Sequence, residues 1–314
     1  MLVLERKNMK KIINVLILSL LLIFFSLNLV LAQEWSFAVI SDNHGYYDKY
    51  RLVLEFIKEL SENADPELDF ILAAGDVSPA EENFQIYQDI FPENKPLYFP
   101  AAGNHELDCI TYRFYISQEI LLPLDDIIVR HDKMDLNYYF DWQNVRIIML
   151  DQYSDFGIGN DRGWVTEAGT KWLKDTIESS PGEIEHIFII MHEPPFARFR
   201  HTRGSISNAE TDCWNMLLKH KRVKAVFCGH VHNYYKMRVK DASKAIKPSS
   251  GFTDEEGGLL MICSGSAGTD WESDNKLTVV QVVIDNKEVQ FKTYQSPYFL
   301  SDFRLKEEWL YQKR

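Results

Sequence analysis

Positive charge is scarce in this 314-residue chain: 34 Lys and Arg stand against 46 Asp and Glu, a formal net charge of −12 at pH 7. A surface of that sign repels polyanions, so long nucleic acids are not expected as partners, while a local basic rim could still admit a small phosphate ester. Cysteine is scarce as well, with four residues, Cys109, Cys213, Cys228 and Cys263. Their spacing matches no zinc motif. Cys228 and Cys263 sit in apolar strand-like runs and read as buried free thiols, although an oxidising compartment would allow a disulfide. No internal repeat and no second domain is visible. With 46% hydrophobic and 25% charged residues, the balance is that of one globular domain with a large core.

Long apolar runs are missing too, with one exception at the start. Arg6, Lys7, Lys10 and Lys11 precede an apolar run from Ile12 to Ala32, broken only by Asn14, Ser19, Ser26 and Asn28. This is a charged n-region followed by an h-region. Val30 and Ala32 suit the small-residue rule for signal cleavage, with Gln33 as first mature residue, and Met9 directly before Lys10 is an alternative start. The run also reaches the roughly 20 residues that span a bilayer, so both a cleaved signal peptide and an uncleaved membrane anchor through residues 12–32 stay open. No Cys lies near Ala32 to be acylated. Either way the expectation is an extracytoplasmic domain over residues 33–314. Removing residues 1–32 takes away four basic residues and Glu5, which moves the net charge by three units, from −12 to −15.

Beyond the leader, strand-like runs alternate with helical patterns: Trp35 to Ile40 then Tyr50 to Leu60, and Leu68 to Ala73 then Phe84 to Phe91. This is a βαβ rhythm. Leu97 to Pro100 is another short strand, and Asn137 to Trp142 with Val145 to Asp151 flank Gln143-Asn144 as an antiparallel hairpin. Trp164 to Ile177 and Ala209 to His220 read as helices, His186 to Met191 and Val223 to Cys228 as strands. In the last third, Leu259 to Ser264, Leu277 to Ile284 and Glu288 to Tyr294 follow one another without helices, which predicts an antiparallel layer. Residues 241–258 are a solvated loop. Together the two halves predict an α/β fold, a four-layer αββα sandwich of two mixed β-sheets flanked by helices.

Five short motifs stand where strand runs end: Asp42-Asn43-His44, Gly75-Asp76, Gly103-Asn104-His105-Glu106, His192-Glu193-Pro194, and Gly229-His230-Val231-His232. Strand ends are where α/β folds place their sites. Each motif offers metal-compatible groups beside a Gly or Pro that permits a sharp turn. Residues at i and i+2 of an extended segment project to the same side, which suits Asp42 with His44 and His230 with His232. Any one motif alone reads as a turn or a hydrogen-bonded core histidine. Seven ligand types and an extra histidine in this order do not.

The ordered set D-x-H, G-D, G-N-H-E, lone H and G-H-x-H, spanning Asp42 to His232, resembles the signature of the calcineurin-like metallophosphoesterases. The resemblance implies that Asp42, His44, Asp76 and His232 hold one metal ion, that Asp76, Asn104, His192 and His230 hold a second, and that Asp76 bridges them. It implies that His105 is not a ligand but faces the substrate, as proton donor or as stabiliser of phosphoryl charge. Two ions about 3.5–4 Å apart clamp the attacking and leaving oxygens of an in-line displacement, with a bridging hydroxide as nucleophile and no covalent protein intermediate.

Purple acid phosphatases carry a Tyr three residues after the bridging Asp and begin with D-x-G; this chain has Pro79 there and Asp42-Asn43-His44. No tyrosinate-to-iron colour is therefore expected, and the ligand set suits manganese, iron or zinc without choosing among them. Arg198, Arg200 and Arg203 form a cationic cluster after His192, readable as a phosphate-binding rim or as solvated charge. Tyr153, Phe156 and Trp164 border either a substrate or the core, with Trp164 heading a helix. The expected function is hydrolysis of phosphomonoesters or small phosphodiesters, such as nucleotides, cyclic nucleotides or sugar phosphates. The alternative is a non-catalytic binding or scaffold protein on the same fold, which the intact ligand set disfavours. A protein phosphatase would need a phosphopeptide groove, of which the sequence gives no sign.

Overall fold

The computed structural model describes Ser19 and residues 34–311, apart from 64–65, 94, 108–109, 133–135, 155–162, 197–207, 244–254, 270–273 and 298–299. The chain divides into two units, Met1–Glu34 and Trp35–Arg314. The leader expected over residues 12–32 and the rim arginines Arg198, Arg200 and Arg203 lie outside the described residues, as do Cys109 and Phe156. Among the described residues, no helix is long and apolar enough to cross a membrane.

Two sheets build the second unit. The first contains β1 (Trp35–Ile40), β2 (Leu68–Ala73), β3 (Leu97–Pro100), β11 (Lys276–Asp285), β12 (Glu288–Pro297) and β13 (Arg304–Leu310), in the order β13-β12-β11-β1-β2-β3. The second contains β4 (Val129–Arg130), β5 (Tyr138–Trp142), β6 (Val145–Met149), β7 (His186–Ile190), β8 (Val223–Cys228), β9 (Tyr234–Val239) and β10 (Leu259–Ser264), ordered β4-β5-β6-β7-β8-β10-β9. In each, a parallel centre gives way to antiparallel neighbours: β1 pairs parallel with β2 and antiparallel with β11, and β8 pairs parallel with both β7 and β10. β1, β6, β7 and β10 are buried along their whole length. Strands covered on both faces carry such predominantly apolar sequence.

Between the sheets lies an aromatic seam. Phe37, Phe70 and Phe99 from the first sheet meet Phe140 and Phe188 from the second, with ring centroids 4.1 Å apart for Phe99 and Phe140, 5.3 Å for Phe70 and Phe140, and 5.4 Å for Phe37 and Phe188. Helix α1 (Tyr47–Asn63) buries Tyr50, Val53, Leu54 and Ile57, a 3.6-period stripe, beside α2 (Ala80–Ile90). On the second sheet, α4 (Glu167–Glu178) and α5 (Asn208–Lys219) pack Leu173, Ile177, Trp214 and Leu217 against Ile148, Ile187, Ile189 and Val226. The short α3 (Ile110–Tyr115) follows the third motif. The four-layer αββα sandwich expected from sequence is the observed architecture.

Two details depart from expectation. β10 does not join β11 and β12; it enters the second sheet between β8 and β9. Its unbroken apolar run, buried at all six positions, requires a strand covered on both faces. Trp164 does not head a helix either: the Thr166 hydroxyl caps α4 by accepting from the Gly169 amide at 3.0 Å, so helix begins at Glu167.

Candidate dimetal centre

The five motifs all lie just beyond strands β1, β2, β3, β7 and β8, and their side chains meet at one edge of the sandwich. The extended geometry expected for Asp42 with His44 and for His230 with His232 is not what brings them together. Asp42, His44, Asp76, His230 and His232 have φ of 55°, 44°, 53°, 69° and 53°. The chain turns sharply through left-handed residues as it leaves each strand, a conformation that Asp, Asn and His tolerate better than most and that clusters at functional sites. Backbone bonds lock these turns: the Asp42 amide donates to Gly75 O at 3.1 Å, and the His44 amide to Asp76 O at 3.2 Å. Gly103 leaves no room for a side chain, since a Cβ there would stand 2.2 Å from Asp76 Oδ1.

Two donor groups result. One ligand atom from each of Asp42, His44, Asp76 and His232 lies within 4.8 Å of the others, and the same holds for Asp76, His192 and His230. Asp76 belongs to both. Its Oδ2 lies 3.1 Å from His192 Nε2 and 3.6 Å from His44 Nε2, and its Oδ1 accepts from the His105 amide at 3.0 Å. Asn104 joins the second group, with its Oδ1 3.1 Å from His192 Nε2 and 3.0 Å from His230 Nδ1. In the first group His232 Nε2 is 3.5 Å from Asp42 Oδ1.

Supporting contacts fix which atoms face inward. The Nδ1–H of His192 donates to Ala74 O at 2.8 Å, so Nε2 is the ring atom that faces Asp76 and Asn104. Both Asp42 oxygens accept from the His230 amide at 3.0 Å. Buried Glu106, absent from the sequence assignment, accepts from the amides of Asp76 at 3.1 Å and Gly103 at 2.5 Å through Oε2. Asn83 donates to His44 O at 2.8 Å and Val77 O at 2.9 Å, which holds the first turn. Glu106 was legible, since its motif was recognised; Asn83 had no sequence signal.

The electrostatics ask for cations. Burial opposes the charge of Asp76, but the His192 imidazole, its hydrogen bond and His44 hold the carboxyl below the usual carboxylate range. Burial works against a charged His192, yet Asp76 raises its pKa to about 10. Burial dominates at His44 and lowers its pKa, and its Nε2 is buried without a hydrogen-bond partner. Burial and the charge of Asp76 push Glu106 up to about 7. Carboxylates, an amide oxygen and imidazole nitrogens converging at one place, with the buried His44 Nε2 left unsatisfied, fit two transition-metal ions.

A cavity of about 350 Å³ opens over these groups, lined by His44, Asp76, Asn104, His230 and His232 together with His105, Tyr46 and Thr269. His105 is exposed, its ring centroid 4.7 Å from that of His44. Tyr46 and Thr269 escaped the sequence reading because neither lies in a motif. Tyr153 is buried, its hydroxyl turned to Glu193, and does not line this cavity.

A family model described as Calcineurin-like phosphoesterase matches residues 36–234. A "Probable cyclic nucleotide phosphodiesterase" of Colwellia psychrerythraea is 23% identical over 212 residues, covering 64% of this chain and 72% of that protein. Purple acid phosphatase 22 of Arabidopsis thaliana is 22% identical over 190 residues, 57% of this chain but only 41% of its own length. The solved structure of a dimetal phosphatase from Danio rerio covers 89% of this chain and 99% of its own, at 15% identity and a TM-score of 0.57, a likeness of fold. Since the family match runs from β1 to the start of β9, more than half of the chain, this protein belongs to the calcineurin-like phosphoesterase family and is a phosphoesterase.

Proposed function

We propose that the protein hydrolyses phosphomonoesters or small phosphodiesters, of the nucleotide, cyclic nucleotide or sugar phosphate kind, at a dinuclear metal centre. The observation that carries this reading is the pair of donor groups sharing Asp76 at the floor of an open cavity. Asp42, His44, Asp76 and His232 would hold one ion, and Asp76, Asn104, His192 and His230 the other. When bound, such a pair activates water and neutralises charge on the phosphoryl oxygens. The ligand set is compatible with manganese, iron or zinc.

The remaining steps fall to the chain's own residues. Asp76 supplies negative charge to both positions at once, and its Oδ1 anchors the His105 amide. His105 thereby stays at the cavity edge with its imidazole exposed, in reach of an ester's departing oxygen, to which it can give a proton. The cavity volume suits a mononucleotide-sized ester better than a polymer. Arg198, Arg200 and Arg203 follow the His192 loop in sequence, and their role as a phosphate-capturing rim is part of this proposal.

The basic n-region and the apolar run to Ala32 support an extracytoplasmic site of action for residues 33–314, either secreted or membrane-anchored. N-terminal sequencing of the exported protein distinguishes the two. The activity itself is tested by assaying the purified, metal-loaded domain on a panel of mono- and diesters. Turnover of at least one class is expected; metal binding without turnover of any would make the protein a scaffold.

A further inference from the structure

Glu193 follows a metal-compatible histidine and is buried, yet the site as described gives it no task. The fold nonetheless holds it from several sides. The Tyr153 hydroxyl donates to Glu193 Oε1 at 2.7 Å. Gln152 grips the backbone: its Oε1 accepts from the Glu193 amide at 2.7 Å, and its Nε2 donates to Glu193 O at 3.0 Å and to Gly163 O at 2.9 Å. Gly163, at φ 61°, lies so close that a Cβ would stand 2.0 Å from Glu193 Oε1. The Gln152-Tyr153 segment is itself pinned by Asp151, whose Oδ1 accepts from the Tyr153 and Ser154 amides at 2.9 and 3.1 Å and whose carboxylate pairs with Arg113 of α3.

The other Glu193 oxygen, Oε2, faces His230 Nε2 at 4.0 Å, while Nδ1 of that ring lies 3.0 Å from Asn104 Oδ1. An ion taking the Nδ1 lone pair would leave the ring proton on Nε2, and a carboxylate on that side favours a proton there over a lone pair, because lone pair and anion would repel. Nδ1, on the Asn104 side of the centre, is then the nitrogen that would ligate. We infer that Glu193 is a positioning residue for His230, held by Tyr153 and Gln152 so that the imidazole presents Nδ1 to the second ion. This rests on the two-ion reading proposed above. Carboxylate partners on the outer nitrogen of a ligating histidine typically change metal affinity by about 10–100-fold.

Calorimetric titration of the metal-stripped protein with zinc tests it, using wild type, Glu193→Gln, Tyr153→Phe and, as reference for the second position, His192→Ala. Glu193→Gln is expected to weaken, by about 10–100-fold, the binding step that His192→Ala removes, with the other step unchanged. Tyr153→Phe, which keeps the ring and loses only the hydroxyl, is expected to weaken the same step less. Two unaltered steps in both variants, or equal loss at both together with a lower Tm of the metal-stripped protein, would overturn the inference, the second outcome marking a merely structural residue. A wild type that takes up a single ion would instead overturn the two-ion reading itself.

Discussion

The two sheets meet at one ligand cluster but bring different chemistry to it. Loops after β1, β2 and β3 supply Asp42, His44, Asp76 and Asn104, three oxygen donors and one imidazole; loops after β7 and β8 supply His192, His230 and His232, imidazoles alone. Among these donors negative charge therefore comes from the first sheet, and the second contributes imidazole nitrogen. Each donor group draws on both sheets, and the only residue common to the two, Asp76, belongs to the first. A cation bound in either group would cross-link the layers of the sandwich.

That asymmetry orders the expected effects. Asp76→Asn removes charge from both groups, and its loss in kcat/KM should exceed the roughly 100-fold upper range for losing a supporting partner. His192→Ala, on the second sheet, should leave the Asp42-His44-His232 group intact and cost less. If His192→Ala is as damaging as Asp76→Asn, the sheets do not divide the work in this way. His105→Ala separates ligation from proton donation on the first sheet: metal content should hold, while alkyl or ribose esters slow by about 10²–10⁴-fold and nitrophenyl esters, whose leaving group needs little help, slow much less. Equal losses for both leaving groups would assign His105 to phosphoryl-charge stabilisation.

Cross-linking of the layers has a thermodynamic signature. Metal present at about a hundredfold excess over its Kd should stabilise the fold by about 2.7 kcal/mol per independent site, seen as a fall in Tm when a chelator is added. A Tm indifferent to chelation would mean that the cluster binds no ion in the folded state. The smallest effect lies at the sheet edges, where β9 and β13 close the sandwich. There Lys236 pairs with Glu307 at 2.7 Å and the Tyr234 hydroxyl donates to the same carboxylate. Burial opposes the Glu307 charge, but these hydrogen bonds hold its pKa below the usual carboxylate value. A depressed carboxylate stabilises the fold above its unfolded pKa, and that contribution fades as pH falls through the folded one. Because Glu307 is partly exposed, Glu307→Gln should cost no more than about 0.5 kcal/mol at neutral pH, with the difference from wild type vanishing in acid. Denaturant titration across that pH range measures it.

Much of this was legible in the sequence because the central strands carry mostly apolar runs with Gly or Pro punctuation. Leu68–Ala73, Leu97–Pro100 and Val223–Cys228 have the ends read from sequence. β13 was not legible: Arg304–Leu310 is an edge strand that turns Leu305 and Leu310 to solvent and the charged Glu307 inward, so neither period survives in the sequence. The sheet that β10 joins was hidden as well, since an apolar run states that a strand is covered but not by what. At the site, the motifs gave the residue types, yet the left-handed turns that aim them followed from no spacing rule. The contact of Gln152 and Tyr153 with Glu193 joins segments about forty residues apart that show no shared pattern.

The central claim is that one carboxylate from the first sheet serves two ions. Elemental analysis of the saturated, desalted protein tests it most directly, in wild type, His192→Ala and Asp76→Asn. The account predicts two ions per chain in wild type, one in His192→Ala and a deficit at both positions in Asp76→Asn. Asp76→Asn retaining the full wild-type content, or wild type holding one ion at full activity, would contradict it.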